Sequence, residues 1–364
     1  MSSTPSTTAG PARPHTKWSF AVLFGVAGSI VVGLVVLAFV WPIATASAKN
    51  LPIAISGPSA SVAAVEKAIH DKAAGVIDFH EVADRAAAVT KIKDRTVYGA
   101  IILPSARGAA PEVLEASAAS TAVAQLLTGV DAQLEAQLMQ QVAAAGGNPL
   151  SATVPLTDIV PLASTDKNGT GLISASFPLV LGGILGGILV SFLVVGVLRR
   201  LLALVVYGLA AGFVVALVLQ TLFGILQGDF VINALALGLA MLATASVITG
   251  FNALLGSPGI GVGSVLTMLI GNPISGASLP PQFLAGPWGE IGQYFVPGAA
   301  SALVRDLSYF PQADLGRYWL TLAIWAAAGI VLSVAGHFRS RANFALPPAE
   351  LEQEPRHAAA TAVA

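Results

Sequence analysis

No cysteine occurs anywhere in the 364 residues. That absence excludes disulfides, thiol chemistry and cysteine-ligated metals. Charge is nearly as scarce. Asp, Glu, Lys and Arg make up 10% of the chain, against roughly 25% in an average soluble domain. The net charge of −1 offers nucleic acid no basic footing. A phosphate-cradling P-loop needs a lysine followed by Ser or Thr. All seven lysines are followed by Trp, Asn, Ala, Ile or Asp. Any ATP chemistry must therefore come from a partner. H-E-x-x-H and G-x-S-x-G are missing as well. The residues point to no enzyme and imply no cofactor or metal. His70-Asp71 and His80-Glu81 fall on different predicted elements and read as surface pairs.

What remains is apolar: 55% of residues are hydrophobic. The charges are segregated. Residues 49–167 hold 9 Lys/Arg and 12 Asp/Glu, whereas residues 171–338 hold only eight charges in 168 positions. This predicts a polytopic α-helical membrane protein with one water-facing domain inserted between its first span and the rest.

A span needs about 20 apolar residues. Residues 20–41 qualify, with Trp18 and Trp41 as interfacial anchors. Ala46-Ser47-Ala48 also fits a signal-peptidase site, but a signal core is roughly 7–15 residues. An uncleaved anchor is the expectation and a cleaved signal the alternative. Four more spans read at 172–198, 201–225, 230–255 and 318–337. A shorter apolar run, 258–271, would rise only about 21 Å, with Ser257 as its cap. Six transmembrane helices with an α/β extracytoplasmic domain follow. The predicted divisions are a disordered cytoplasmic tail 1–17, a first helix 18–42, the domain 43–170, a five-helix part 171–338 and a disordered cytoplasmic tail 339–364. Arg13 and Lys17, Arg199 and Arg200, and Arg339 and Arg341 then share one side, the cytoplasm. This places a multi-pass protein in a bacterial cell membrane, with both termini inside and 43–170 outside.

Within the domain, residues 51–56, 76–81 and 97–103 read as strands and 60–73 and 82–94 as helices, a βαβαβ unit. Residues 112–145 read as one long helix. Val123, Leu127, Val130, Leu134 and Leu138 recur at helical spacing along it. That face suits either a dimer mate or the domain's own sheet.

The stretch after the short run is unusual. Residues 271–299 hold five prolines, six glycines and a single charge, Glu290. Prolines at this density forbid a continuous helix. Irregular backbone at membrane depth survives only when buried in protein or lining a wet cavity. A broken, re-entrant outer segment at 271–310 is expected, with Pro273, Pro280, Pro281, Trp288, Glu290, Pro297 and Gly298 shaping an outer gate. Charge inside the spans is almost absent, and Arg305-Asp306 and Asp314 read as lying near the outer surface. An ion-coupled carrier would lack its relay. Gln220, Asn233, Asn252 and Thr267 are the candidate polar residues of a path, with helix–helix contacts as the alternative. Gly182-Gly183 with Gly186-Gly187, and Gly208 with Gly212, predict close helix packing.

Three stretches then carry a family resemblance: "VYGAIILP" at 97–104, "DKNGTGLISASFPLVLGGILGG" at 166–187 and "GNPISGASLPPQFLAGPWGEIGQYFVPGAASALVRDLSYF" at 271–310. With the layout of one span, a large external domain and five more spans, the chain resembles the permease subunits of type-2 ABC exporters, in their phage-infection-protein-like (Pip-like) branch. The resemblance implies a permease half that forms a homodimer or pseudo-dimer in the lipid bilayer. A separate cytoplasmic ATP-binding-cassette ATPase would drive it, contacting Arg199 and Arg200. The segment like 271–310 would form short outer-leaflet helices at the exit for an amphiphilic or envelope-related substrate. The alternative is a non-transporting scaffold, assembly factor or receptor-like protein whose external domain binds an envelope or secretion partner.

Overall fold

The computed structural model describes residues 17–106, 109–148 and 152–343. The expected terminal tails, apart from Lys17 and the end of the last helix, lie outside the described residues. Among the described residues, five helices are long and apolar enough to cross a membrane: α1 (Trp18–Ala44), α5 (Thr170–Leu193), α6 (Val197–Ala216, prolonged by a π turn to Leu222), α7 (Phe230–Leu255) and α11, whose apolar part is Gly316–Phe338. The full α11 runs Gly316–Asn343. The chain is thus a polytopic helical protein by the length and composition of its helices.

α7 is the most enclosed of the five and forms the hub. Glycines let its neighbours approach. A Cβ on Gly183 would meet Thr244, one on Gly187 would meet Ile248, and one on Gly212 would overlap the Ala234 carbonyl. Small residues let backbones come close where lipid supplies no hydrophobic drive between helices. Asp229 caps α7 by accepting from Ile232 N at 2.9 Å.

The boundary between α5 and α6 differs from the expected one. The chain reverses at residues 194–196, through Gly196 at φ +96°, a region that favours glycine. Arg199 and Arg200 therefore sit in the first turn of α6 rather than in a connection. Arg200 donates from Nε to Val194 O at 2.7 Å and from Nη2 to Ser191 O at 3.1 Å, satisfying orphan carbonyls at the end of α5. Arg199 is exposed.

The short apolar run is α8 (Ser257–Ser264) continued by a π turn, Val265–Gly271. Its cap is Gly256, not Ser257, because the chain leaves α7 at positive φ there. Fifteen helical residues rise about 22 Å, less than a bilayer core.

Between α1 and α5 lies a five-stranded sheet in the order β2-β1-β3-β4-β5. The first three strands are β1 (Leu51–Ser56), β2 (Ile77–Glu81) and β3 (Gly99–Ile102), parallel and joined by α2 (Ser59–Ala73) and α3 (Arg85–Lys93). Asp84 caps α3 by accepting from Ala87 N at 2.8 Å. The expected helix over 112–145 is overturned at its start. Glu112–Glu115 is β4, antiparallel to β3, and Leu156–Asp158 is β5. The helix α4 begins only at Thr121 and ends at Ala144. Val113 and Leu114 are both fully buried, one on each face of the sheet. Adjacent apolar residues of that kind imitate a helix pattern. Val123 and Leu127 are buried in the domain core, with Val130, Leu134 and Leu138 packed against it. The apolar face of α4 is therefore used by its own sheet.

Glu115 gives the domain a pH signature. Burial, with Asp158 and Asp131 nearby, raises its carboxyl to about 7, and its Oε2 is enclosed without a hydrogen-bond partner. An acid raised in the fold favours the folded state while protonated. That contribution is complete below the ordinary value near 4.5 and is lost as pH rises through about 7. The thermal midpoint of the full chain should therefore be higher at about pH 5 than at about pH 8.5, other groups aside. Glu115→Gln should flatten that slope. An unchanged slope would show that Glu115 is ionised throughout.

Candidate functional site

The segment 272–315 returns into the helical bundle. It contains a single 3-10 turn at Pro281–Phe283, then α9 (Trp288–Gly292) and α10 (Val296–Tyr309). Its depth can be read from α11. Trp325, nine residues beyond Gly316 and so about 14 Å along the axis, donates from Nε1 to Tyr294 O at 2.7 Å. Phe295 packs on the same indole, ring centroids 5.8 Å apart. α10 starts at that depth and climbs back. Pro297 is in its first turn, where a missing N–H is harmless. Gly298 and Gly292 are both buried, and a Cβ on Gly298 would overlap the Gly292 carbonyl.

The far end of α10 is keyed into the sheet domain. Phe310, 1% exposed, belongs to the core built from Leu51, Ile53, Ile101 and Leu114. Above it, Arg95 forms an ion pair with Asp306, which is 2% exposed, and its guanidinium stands 5.3 Å from the centre of the Phe310 ring. Burial pulls the Arg95 guanidinium below its ordinary value, and the Asp306 carboxylate supplies the counter-charge. Arg95 also holds φ +58° just after α3, a helix-end position usually given to Gly or Asn. An arginine there is strained backbone held by its side chain's contacts. Further links are Tyr98 Oη to Gln282 Oε1 at 3.0 Å and Arg305 Nη1 to Ala118 O at 3.2 Å. The chain leading out of α1 runs along the same segment, with Ser47 N donating to Phe283 O and Lys49 N to Gln282 O.

Three adjoining cavities surround this junction. A polar chamber of about 360 Å3 lies between the sheet domain and the segment, with Arg95, Tyr98, Arg305, Asp306 and Arg317 on its walls. Beneath it, a narrow apolar pocket of about 50 Å3 enters the bundle between α5, α7 and α10. A third cavity of about 200 Å3 lies between α1 and α5, past Phe39, Pro42 and Phe177. Ala277 lines all three, and Ser301 and Arg305 line both the chamber and the apolar pocket. No family model, curated protein or solved structure matches the chain.

The expected gate residues distribute unevenly. Pro280 and Pro281 line the chamber, Pro297 the apolar pocket and Pro273 the side cavity. Trp288 meets Trp41 of α1 edge-on at 6.4 Å. Glu290 is exposed. Of the expected path residues, Asn233 donates to Gln220 Oε1 at 2.9 Å and to Gln227 O at 2.8 Å. Thr267 bonds back to Gly263 O, and Asn252 is half-buried near the far end of α7. None of these four lines the three cavities. Arg305 and Asp306 lie where α10 meets the sheet domain, and the domain covers Asp306. Sequence reading missed Arg95, Tyr98 and Arg317 altogether. The available signal was rarity: Arg305, Asp306 and Arg317 are three of only eight charges between 171 and 338.

Proposed function

We propose that this chain is the permease subunit of an exporter that moves an amphiphilic or envelope-related substrate outward, energised by a separate ATP-binding-cassette ATPase. The observation that carries the reading is that the polar chamber adjoins the apolar pocket beneath it, the two sharing Ala277, Ser301 and Arg305 as lining. A route for an amphiphile needs both surfaces in contact. Six membrane crossings are part of this proposal, the short α8 with its re-entrant continuation serving as the fifth. The orientation is supported by charge. Helix direction puts Lys17, Arg199 and Arg200 at the end of the bundle opposite the sheet domain, which fits a cytoplasmic end and an external domain. The resemblance to Pip-like permeases points the same way and adds a dimer.

One observation favours a second reading. Arg200 is engaged with the end of α5, and the connection there is only residues 194–196. The inner face thus offers an ATPase little to grip, as in a scaffold whose sheet domain is the working part. Gentle extraction from native membranes followed by mass spectrometry of co-purifying proteins separates the two. A stoichiometric ATP-binding-cassette ATPase is expected. Envelope or secretion components in its place would sink the exporter reading.

A further inference from the structure

The two unpaired cations of the chamber define the chemistry of its ligand. Six charged side chains line it: Arg95, Arg305 and Arg317 against Asp94, Asp306 and Asp314. They cancel in sum, and among the described residues Asp94 and Asp314 have no cationic partner either, so selectivity depends on placement: of the six, only Arg305 also lines the apolar pocket. Asp306 is taken by Arg95. Asp314 Oδ1 accepts from Gly316 N at 2.9 Å, at the start of α11. Among the described residues, neither Arg305 nor Arg317 has a carboxylate within ion-pair distance. Arg317 instead lies over the Tyr318 ring, 4.5 Å from its centroid, and donates to its hydroxyl at 2.6 Å. Arg305 donates to two carbonyls, Ala118 O at 3.2 Å and Ala277 O at 3.4 Å. A guanidinium carries five N–H donors, so a half-buried cation keeps donor capacity that no group among the described residues uses. It keeps it on the wall where the polar chamber meets the apolar pocket.

We infer that this junction binds an anionic amphiphile. Its phosphate, sulfate or carboxylate head is held by Arg305 with Arg317 nearby, and the first carbons of its hydrocarbon chain enter the narrow pocket bounded by Leu179, Leu237 and Val304. A guanidinium with free donors is suited to such an oxyanion, and a charge-assisted bond is stronger than a neutral one. A choline-type head would bring a further cation against Arg305 and Arg317. A free inorganic anion would leave the apolar pocket unused. The inference rests on the transport reading for what the ligand is for, not for whether it binds.

The test is saturable binding to the full chain in phosphatidylcholine nanodiscs, measured by titration calorimetry against empty nanodiscs. The probes are octyl phosphate, octylphosphocholine and inorganic phosphate. Octyl phosphate should bind most tightly. Arg305→Gln should weaken it about tenfold to a hundredfold. Ala300→Phe, which fills the apolar pocket, should weaken it as well. Equal binding of octylphosphocholine, equal binding of inorganic phosphate, or indifference to Arg305→Gln would each overturn the inference. The ligand series on the unaltered chain decides the matter even if a variant fails to fold. Binding as expected without an ATPase partner would leave the site standing and remove the transport reading. A co-purifying ATPase without head-group preference would do the reverse.

Discussion

Asp306→Ala is expected to destabilise the chain by about 3–5 kcal/mol, because it leaves the Arg95 guanidinium buried without its counter-charge. Arg95→Ala should be comparably costly from the other side, because it leaves the Asp306 carboxylate buried without its counter-charge and alanine keeps the positive-φ strain at position 95. The informative variant is the double one. Replacing both partners with apolar residues, Arg95→Met with Asp306→Leu, should fall within about 1 kcal/mol of the parent, since well-packed hydrophobes of similar volume often match a buried ion pair. Unfolding in mixed micelles measures all three. A double variant no better than the singles would mean that the pair does more than neutralise itself. Specific registration of α10 against the sheet domain would then be its role.

Gly298→Leu is the second large effect. Any side chain here must displace the Gly292 carbonyl, and the site is buried on every side. Overpacking of this kind costs about 1–3 kcal/mol and sometimes more. Membrane insertion should survive, because the five long helices are apolar enough to enter a membrane without it. The protein should reach the membrane at normal abundance, yet melt earlier and lose its activity. Pro297→Leu should be milder, since the first turn of α10 needs no N–H from that residue. Comparing membrane-fraction abundance with the thermal midpoint separates insertion from packing. A parent-like midpoint for Gly298→Leu would show that residues 272–315 are loosely held.

Both effects fall in regions that the sequence revealed unequally. The long helices are legible because about twenty apolar residues in a row have few other uses. The segment 272–315 is legible as an interruption, since prolines at 273, 280, 281, 287 and 297 break a helix whatever surrounds them. Local cues misled in two places. Arg199-Arg200 resembles a connection, but the turn is made three residues earlier by Gly196. Glu112–Glu115 resembles helix because Val113 and Leu114 are buried on opposite faces of one sheet, which erases the alternation of a half-exposed strand. The chamber was illegible for a different reason. Arg305 meets Ala118 across 187 residues of chain, and no local pattern records a pairing that the fold alone creates. The hint at Arg95 was equally faint: an arginine where a helix commonly ends on glycine.

Phe310 makes the boundary between the two halves of the molecule less clean than the linear order suggests. The sheet is contiguous in sequence from β1 to β5, yet one of its largest core side chains arrives from the end of α10. A water-soluble fragment cut at the ends of residues 45–169 would carry a socket with nothing in it. It would present apolar surface, and aggregation would follow. The interchangeable unit is thus discontinuous. Any chimaera that imports a foreign head must import the matching 281–310 hairpin with it, and homologous replacement of one without the other should give chains that reach the membrane with the head detached.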